Sequence, residues 1–176
     1  MSKLFAFYLG GKAKGAHLEV HDVVFAIGES VEDCYPQIAQ QWFGLKQGLH
    51  IDAIMEIPGA DGYQVKIGNN AIGSDAGDKV NKDLYLVNLG GSIDNEFYEF
   101  HKLGLVVAGS QMGAMSRAKS KILVNFVDRH VDNVLDVDHH CKKVSDMIPN
   151  VAIVLVPDIS FNGYNPPVTT CYKAVK

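Results

Sequence analysis

Arginine is almost missing from this chain: Arg117 and Arg129 stand against fourteen lysines. Bidentate reading of phosphates and guanines relies on the planar guanidinium. With a formal net charge of −4 and no basic run beyond the scattered Lys12 and Lys14, nucleic acid is not an expected partner. Cysteine is scarce and odd in number. Cys34, Cys141 and Cys171 lie far apart with no CxxC, so neither a disulfide framework nor a zinc knuckle is expected, and the chain reads as reduced and cytoplasmic. No apolar run approaches the ~18 residues that span a bilayer, and the N-terminal residues lack the pattern of a secretion signal, so no membrane partner is expected. GxSxG, HExxH and GxGxxG are all absent, which leaves the common hydrolase, zincin and dinucleotide classes unsupported.

What is present is a globular composition, 47% hydrophobic and 20% charged over 176 residues, and an internal repeat. An ungapped shift of 80 residues lays Leu4 on Leu84 and Leu9-Gly10-Gly11 on Leu89-Gly90-Gly91. It also lays Glu19 and His21 on Glu99 and His101, Ser30 on Ser110, and His50 and Asp52 on His130 and Asp132. These identities are polar or glycine residues in short motifs, and the apolar periodicity between them is kept: Tyr35, Ile38 and Trp42 fall on Met115, Ala118 and Ile122.

Each copy reads strand, strand, helix, strand. Leu4–Leu9 is an apolar run closed by Gly-Gly, and residues 18–27 are β-branched and closed by Gly28. Ser30 and Asp33 form a capping box for a helix expected to run to about Phe43, with Val31, Tyr35, Ile38 and Trp42 as its buried stripe. Leu49–Ile57 is a third strand and Tyr63–Ile67 a short fourth, after a turn over residues 58–62. The second copy gives strands at 84–89, 98–107 and 131–137 and a helix from Gln111 to about Asn125. A short added helix follows, with Cys141, Val144 and Ile148 on one side. Val151–Val156, wholly apolar, is expected at a sheet centre, and Val168–Ala174 as an edge strand. The expected boundaries are a first repeat at 1–68, a Gly/Asp/Asn-rich linker at 69–83, a second repeat at 84–157 and a tail at 158–176. The expected fold is α+β in two layers: a mixed or antiparallel sheet with helices on one face, built from two β-β-α-β repeats with pseudo-twofold symmetry and packed as one compact body.

Several of these motifs carry a resemblance: Phe5-Ala6-Phe7-Tyr8-Leu9-Gly10-Gly11, Glu19-Val20-His21-Asp22, Glu32-Asp33-Cys34-Tyr35-Pro36, Trp42-Phe43-Gly44 and Leu49-His50-Ile51-Asp52. In the second copy they are Glu99-Phe100-His101-Lys102 and His130-Val131-Asp132. The chain resembles the family called domain of unknown function 1543, here in two tandem copies from about Lys3 to Pro157. The resemblance implies a unit that occurs once or twice per chain. It implies no activity, cofactor or catalytic residue.

The chemistry-bearing residues are the repeated pairs. Glu19 and His21, like Glu99 and His101, lie two apart on one strand face, a costly placement beside a core unless the side chains bond to each other or to a ligand. Such pairs suit acid/base work by His21 or His101, and two of them converging would give a zinc or iron ligand set; no metal or other cofactor is assigned. His50/Asp52 and His130/Asp132 repeat the pattern, expected to face solvent or to lie at a sheet end. Gly10, Gly11, Lys12, Gly90 and Gly91 form turns where a ligand could approach the backbone, although no phosphate-loop ending follows them. Cys34 reads as a buried, inert thiol. His139-His140 reads as a poor chelating pair.

These features leave the function open among three readings. The first is a non-catalytic binding or self-associating module. The second is an enzyme or sensor for a small polar metabolite held between the repeats, with the Glu-x-His pairs as acid and base. The third is a metal-binding protein. A homodimer is expected, because an exposed β-prone edge such as 168–174 invites pairing with a second copy.

Overall fold

The computed structural model describes residues 1–68, 81–91, 95, 97–122, 141–149 and 151–175. Its strands in chain order are β1 (Lys3–Gly11), β2 (Val20–Gly28), β3 (His50–Glu56), β4 (Gly59–Ala60), β5 (Tyr63–Gly68), β6 (Asp83–Gly91), β7 (Phe100–Ala108), β8 (Cys141–Lys143), β9 (Ala152–Pro157) and β10 (Val168–Ala174). The helices are α1 (Tyr35–Gln41), α2 (Gln111–Ile122) and α3 (Val144–Met147), with 3-10 turns at Glu32–Cys34 and Ile159–Phe161. The architecture is mixed α+β, with mainly antiparallel sheets and few helices. By internal contacts the chain divides into two compact units. Unit 1 comprises Met1–Gly59, Val65–Ile67 and Pro166–Lys176, and unit 2 comprises Ala60–Gln64 and Gly68–Asn165.

Unit 1 is a four-stranded antiparallel sheet in the order β10-β3-β1-β2. Alternation along β1 sends Phe5, Phe7 and Leu9 to one face, where Val24, Ala26 and Ile51 join them under Cys34, Ile38, Trp42 and Leu49. Burying each of the large side chains stabilises the unit by ~1.5–3 kcal/mol. The capping box is made reciprocally: Ser30 N–H donates to Asp33 Oδ2 at 2.9 Å and Asp33 N–H to Ser30 Oγ at 3.3 Å. The hydroxyl of Ser30, together with the Ser30 and Glu29 N–H groups, holds the Asp33 carboxyl below its ordinary range. The helix begins as a 3-10 turn and stops at Gln41, two residues short of the expected end, with Trp42 already extended. Beyond it the chain turns back, and Leu45 N–H donates to the Lys12 carbonyl at 2.7 Å.

Unit 2 contains the antiparallel sheet β7-β6-β8, with Ala114, Met115, Ala118 and Ile122 of α2 packed on Tyr85, Val87, Leu89, Val106 and Ala108. β6 and β7 repeat the bounds of β1 and β2 at an offset of 80 residues, and their registers agree: Gly10 pairs with His21, and Gly90 with His101. Asp61, on a turn with φ 52°, is buried and accepts from Arg117 Nε (2.8 Å), Arg117 Nη2 (2.7 Å) and Val107 N–H (2.9 Å). The Asp61 carboxylate also raises the Arg117 guanidinium's affinity for its proton.

Two expectations are corrected here. β9 is an outer strand of a small sheet and is half-buried along most of its length, not a sheet centre. Residues 141–143 form β8 rather than the start of a helix, because Val87 in β6 offers Cys141 a backbone partner; only Val144–Met147 is helical. The expected linker (apart from residues 81–83, the last of which opens β6), the third strand of the second copy at 131–137 and His139-His140 lie outside the described residues. No helix among the described residues is long and apolar enough to cross a membrane.

Candidate functional site

In unit 1 the two repeated motifs of the first copy meet. Gly10 pairs with His21 on one side and with His50 on the other. Directly opposed residues of antiparallel strands project to the same face, so both histidines stand on the face opposite the helix. Between them lies a residue with no side chain. A Cβ on Gly10 would sit 2.5 Å from His50 Nε2 and 2.6 Å from Asp52 Oδ2. Only glycine leaves this space.

Asp52 reaches the same spot through an irregularity. Tyr8 pairs with Ala53 and Leu9 with Ile51, so Asp52 is an extra residue against β1; on its other side Thr170 pairs with Ala53 and Lys173 with Ile51. A bulge of this kind re-aims a side chain. Here it brings Asp52 and His50, two apart in sequence, to the same point.

The result is a ring of two imidazoles and two carboxylates. His50 Nε2 lies 3.3 Å from Glu19 Oε1 and 3.3 Å from Asp52 Oδ1. His21 Nε2 lies 3.6 Å from Glu19 Oε2 and 3.5 Å from Asp52 Oδ2. Charge-assisted hydrogen bonds run at about 2.7–2.9 Å, so the ring is open rather than closed by hydrogen bonds. Asp52 Oδ2 is buried and accepts none.

The rings are held from behind. His50 is 3% exposed, and its Nδ1 is 2.8 Å from the Gly48 carbonyl. A carbonyl only accepts, so Nδ1 carries a proton and Nε2 is the nitrogen turned to the carboxylates. Tyr172 packs on His50 with ring centres 4.4 Å apart, and Tyr8 stacks flat on His21 at 5.1 Å and 3°. Burial and the neighbouring Asp52 charge raise the Tyr8 phenol above its ordinary value. His21 and Glu19 form the outer, exposed side of the ring; His50 forms its buried floor.

Of the two placements expected for His50 and Asp52, facing solvent or lying at a sheet end, His50 takes the second: it opens β3 and is buried, with Tyr172 packed on its ring. Gly11 is buried at the end of β1, where a Cβ would lie 3.0 Å from Trp42 Cζ2, so it serves packing. Lys12 is exposed and contributes its backbone carbonyl to a turn. In unit 2, Glu99 Oε2 lies 3.4 Å from His101 Nε2, and a Cβ on Gly90 would collide with the Glu99 carboxylate. Gly91 ends β6, buried. His130 and Asp132 lie outside the described residues. Sequence reasoning missed Tyr8, Tyr172 and the Gly48 carbonyl, since nothing local marks them. The Gly10-Gly11 motif was readable, but the place of Gly10 between two strands was not.

Cys34 and Cys141 are buried thiols, each pushed up to about 11 chiefly by burial. Neither is a nucleophile near neutral pH. Among the described residues no group of three or more His, Cys, Asp or Glu side chains is set up as it stands to hold a metal ion.

Residues 16–67, which include all of the ring, match the family described as Domain of Unknown Function (DUF1543). The crystal structure of a protein Il1583 from Idiomarina loihiensis is similar over 100% of this chain and 99% of that one, at 29% identity and a TM-score of 0.73. No curated protein matches the chain.

Proposed function

We propose that unit 1 is a binding module whose seat is the Glu19–His21–His50–Asp52 ring above Gly10, taking a small ligand that brings positive charge. The observation that carries this reading is the buried His50. Its Nδ1 proton is committed to Gly48, so Nε2 faces two carboxylates at 3.3 Å with no donor of its own unless it is protonated. With Nδ1 carrying the ring's proton, the Nε2 lone pair of His50 faces carboxylate oxygens on both sides. A ligand entering from the Glu19–His21 side would relieve this. His21, on that exposed side and stacked on Tyr8, is the imidazole placed for acid/base work on a bound metabolite.

Asp52→Asn in dialysed protein tests the reading. A structural ion-pair ring would lose ~2 kcal/mol or more, because a buried charge is left without its partner. A binding seat carries strain when empty, so the variant should match or exceed the wild-type stability. A loss above ~2 kcal/mol in urea unfolding ends the proposal.

A duplication of the unit underlies the chain in this reading, supported by the 80-residue offset of β6 and β7 and by their matching registers. The free cysteines fit a reducing, cytoplasmic setting. Self-association is the second reading, favoured by β10, an outermost strand whose residues are mostly exposed. Light scattering should give twice 19.2 kDa; a monomer mass at micromolar concentration refutes it.

A further inference from the structure

Resting on the binding reading above, we infer that the ligand of the unit 1 ring is a single divalent transition-metal ion, coordinated by Glu19, His21, His50 and Asp52.

Charge comes first. Metal ligation takes the imidazoles in their neutral form, and in that form the four groups carry −2, which one divalent ion neutralises. Two imidazoles among the donors favour zinc, iron, copper or nickel over calcium or magnesium, which take oxygen.

Size agrees. A tetrahedral ion with bonds of about 2.0–2.2 Å separates its ligand atoms by roughly 3.3–3.6 Å. The four imidazole–carboxylate separations, 3.3, 3.3, 3.5 and 3.6 Å, fall in the same range, with a different oxygen of each carboxylate facing each imidazole.

The surroundings also agree. His50 donates its other ring N–H to the Gly48 carbonyl, the outer partner that metal-bound histidines regularly have. Asp52 Oδ2 is buried without a hydrogen-bond partner, and Gly10 keeps its Cβ out of the space.

The groups do not form a finished site as they stand, and the reason is visible in the contacts: each carboxylate straddles the two imidazoles, one oxygen to each. Coordination would require each carboxylate to turn about its terminal torsion, which is broad and soft, so that one oxygen of each points to the centre. The imidazoles are held by Tyr8, Tyr172 and Gly48.

Zn²⁺ titration of the chelator-treated full chain by calorimetry tests this, with Co²⁺ as a coloured probe of tetrahedral coordination. The expected result is a saturable site that raises the melting temperature and gives the Co²⁺ visible bands. His50→Gln and Asp52→Asn should each weaken it at least ~10-fold, and Glu19→Gln, on the exposed side, should weaken it without disturbing the fold. His17→Gln, an exposed histidine outside the ring, should leave it unchanged.

Binding that is absent for Zn²⁺, Co²⁺ and Mn²⁺, or equal in wild type and all three ring variants, overturns the metal. If Asp52→Asn then keeps wild-type stability, the metal alone falls and an organic cation takes the seat. If Asp52→Asn is strongly destabilised, both readings fall.

Discussion

Gly10→Ala is the substitution whose effect follows most directly from the geometry. The new Cβ lies 2.5 Å from His50 Nε2 and 2.6 Å from Asp52 Oδ2, about an ångström inside van der Waals contact. The His50 ring cannot swing aside freely: Nδ1 is bonded to the Gly48 carbonyl at 2.8 Å and Tyr172 lies against it. Over-packing of this kind costs ~1–3 kcal/mol, and losing the buried Nδ1 bond adds ~1 kcal/mol. Replacing glycine within a strand returns ~0.5–1 kcal/mol of backbone entropy. The net loss is ~1–3.5 kcal/mol, or a fall of ~2–14 °C in melting temperature for a chain of this length. Two glycines calibrate the result. Gly68→Ala places its Cβ 3.6 Å from Val154, an ordinary contact, and should change stability by less than ~0.5 kcal/mol. Gly15→Ala meets nothing within 4 Å but has φ +85°, so it should cost ~1–2 kcal/mol while leaving the ring intact. Thermal unfolding followed by circular dichroism, with imidazole nitrogen NMR reporting the His50 Nδ1 proton, separates the three. Gly10→Ala with wild-type melting and an unchanged His50 signal would refute the account of the ring as packed above a bare glycine.

Asp61→Asn in unit 2 keeps a residue type that accepts φ 52° but turns a donor toward Arg117 or Val107 N–H; it should lower the urea midpoint by the equivalent of ~2–4 kcal/mol, and a shift under ~0.5 kcal/mol would show the pair to be idle. Cys34 and Cys141 should resist alkylation at pH 8 in native protein and react on unfolding; rapid native labelling of either would contradict their burial. Because folding raises both thiols from 9.0 to about 11, their contribution is fully present below pH 9 and is lost as pH rises towards 11; stability that is flat across that window in wild type, or a fall that is unchanged in the Cys34→Ala, Cys141→Ala double variant, would exclude the thiols as its source.

Local patterning carried much of the fold. The apolar run ended by Gly10-Gly11, the β-branched stretch closed by Gly28 and the Ser30/Asp33 box each concern neighbours within a few residues, and β1, β2 and the first helix begin close to where those signals place them. The Val168–Ala174 strand is at an edge, as its composition and flanking prolines imply. The site was legible only in halves. Glu19 with His21 and His50 with Asp52 were visible as pairs because alternation fixes which residues share a strand face. That the pairs meet depends on β1 lying between β2 and β3, on Gly10 falling opposite both histidines, and on the bulge at Asp52. The burial of His50 depends on β10, more than a hundred residues further along the chain. A strand's sequence states which side chains share a face. It does not state which strand pairs alongside, because that choice is made by burial summed over the whole sheet, and so the chemistry of the ring was decided by the tertiary structure alone.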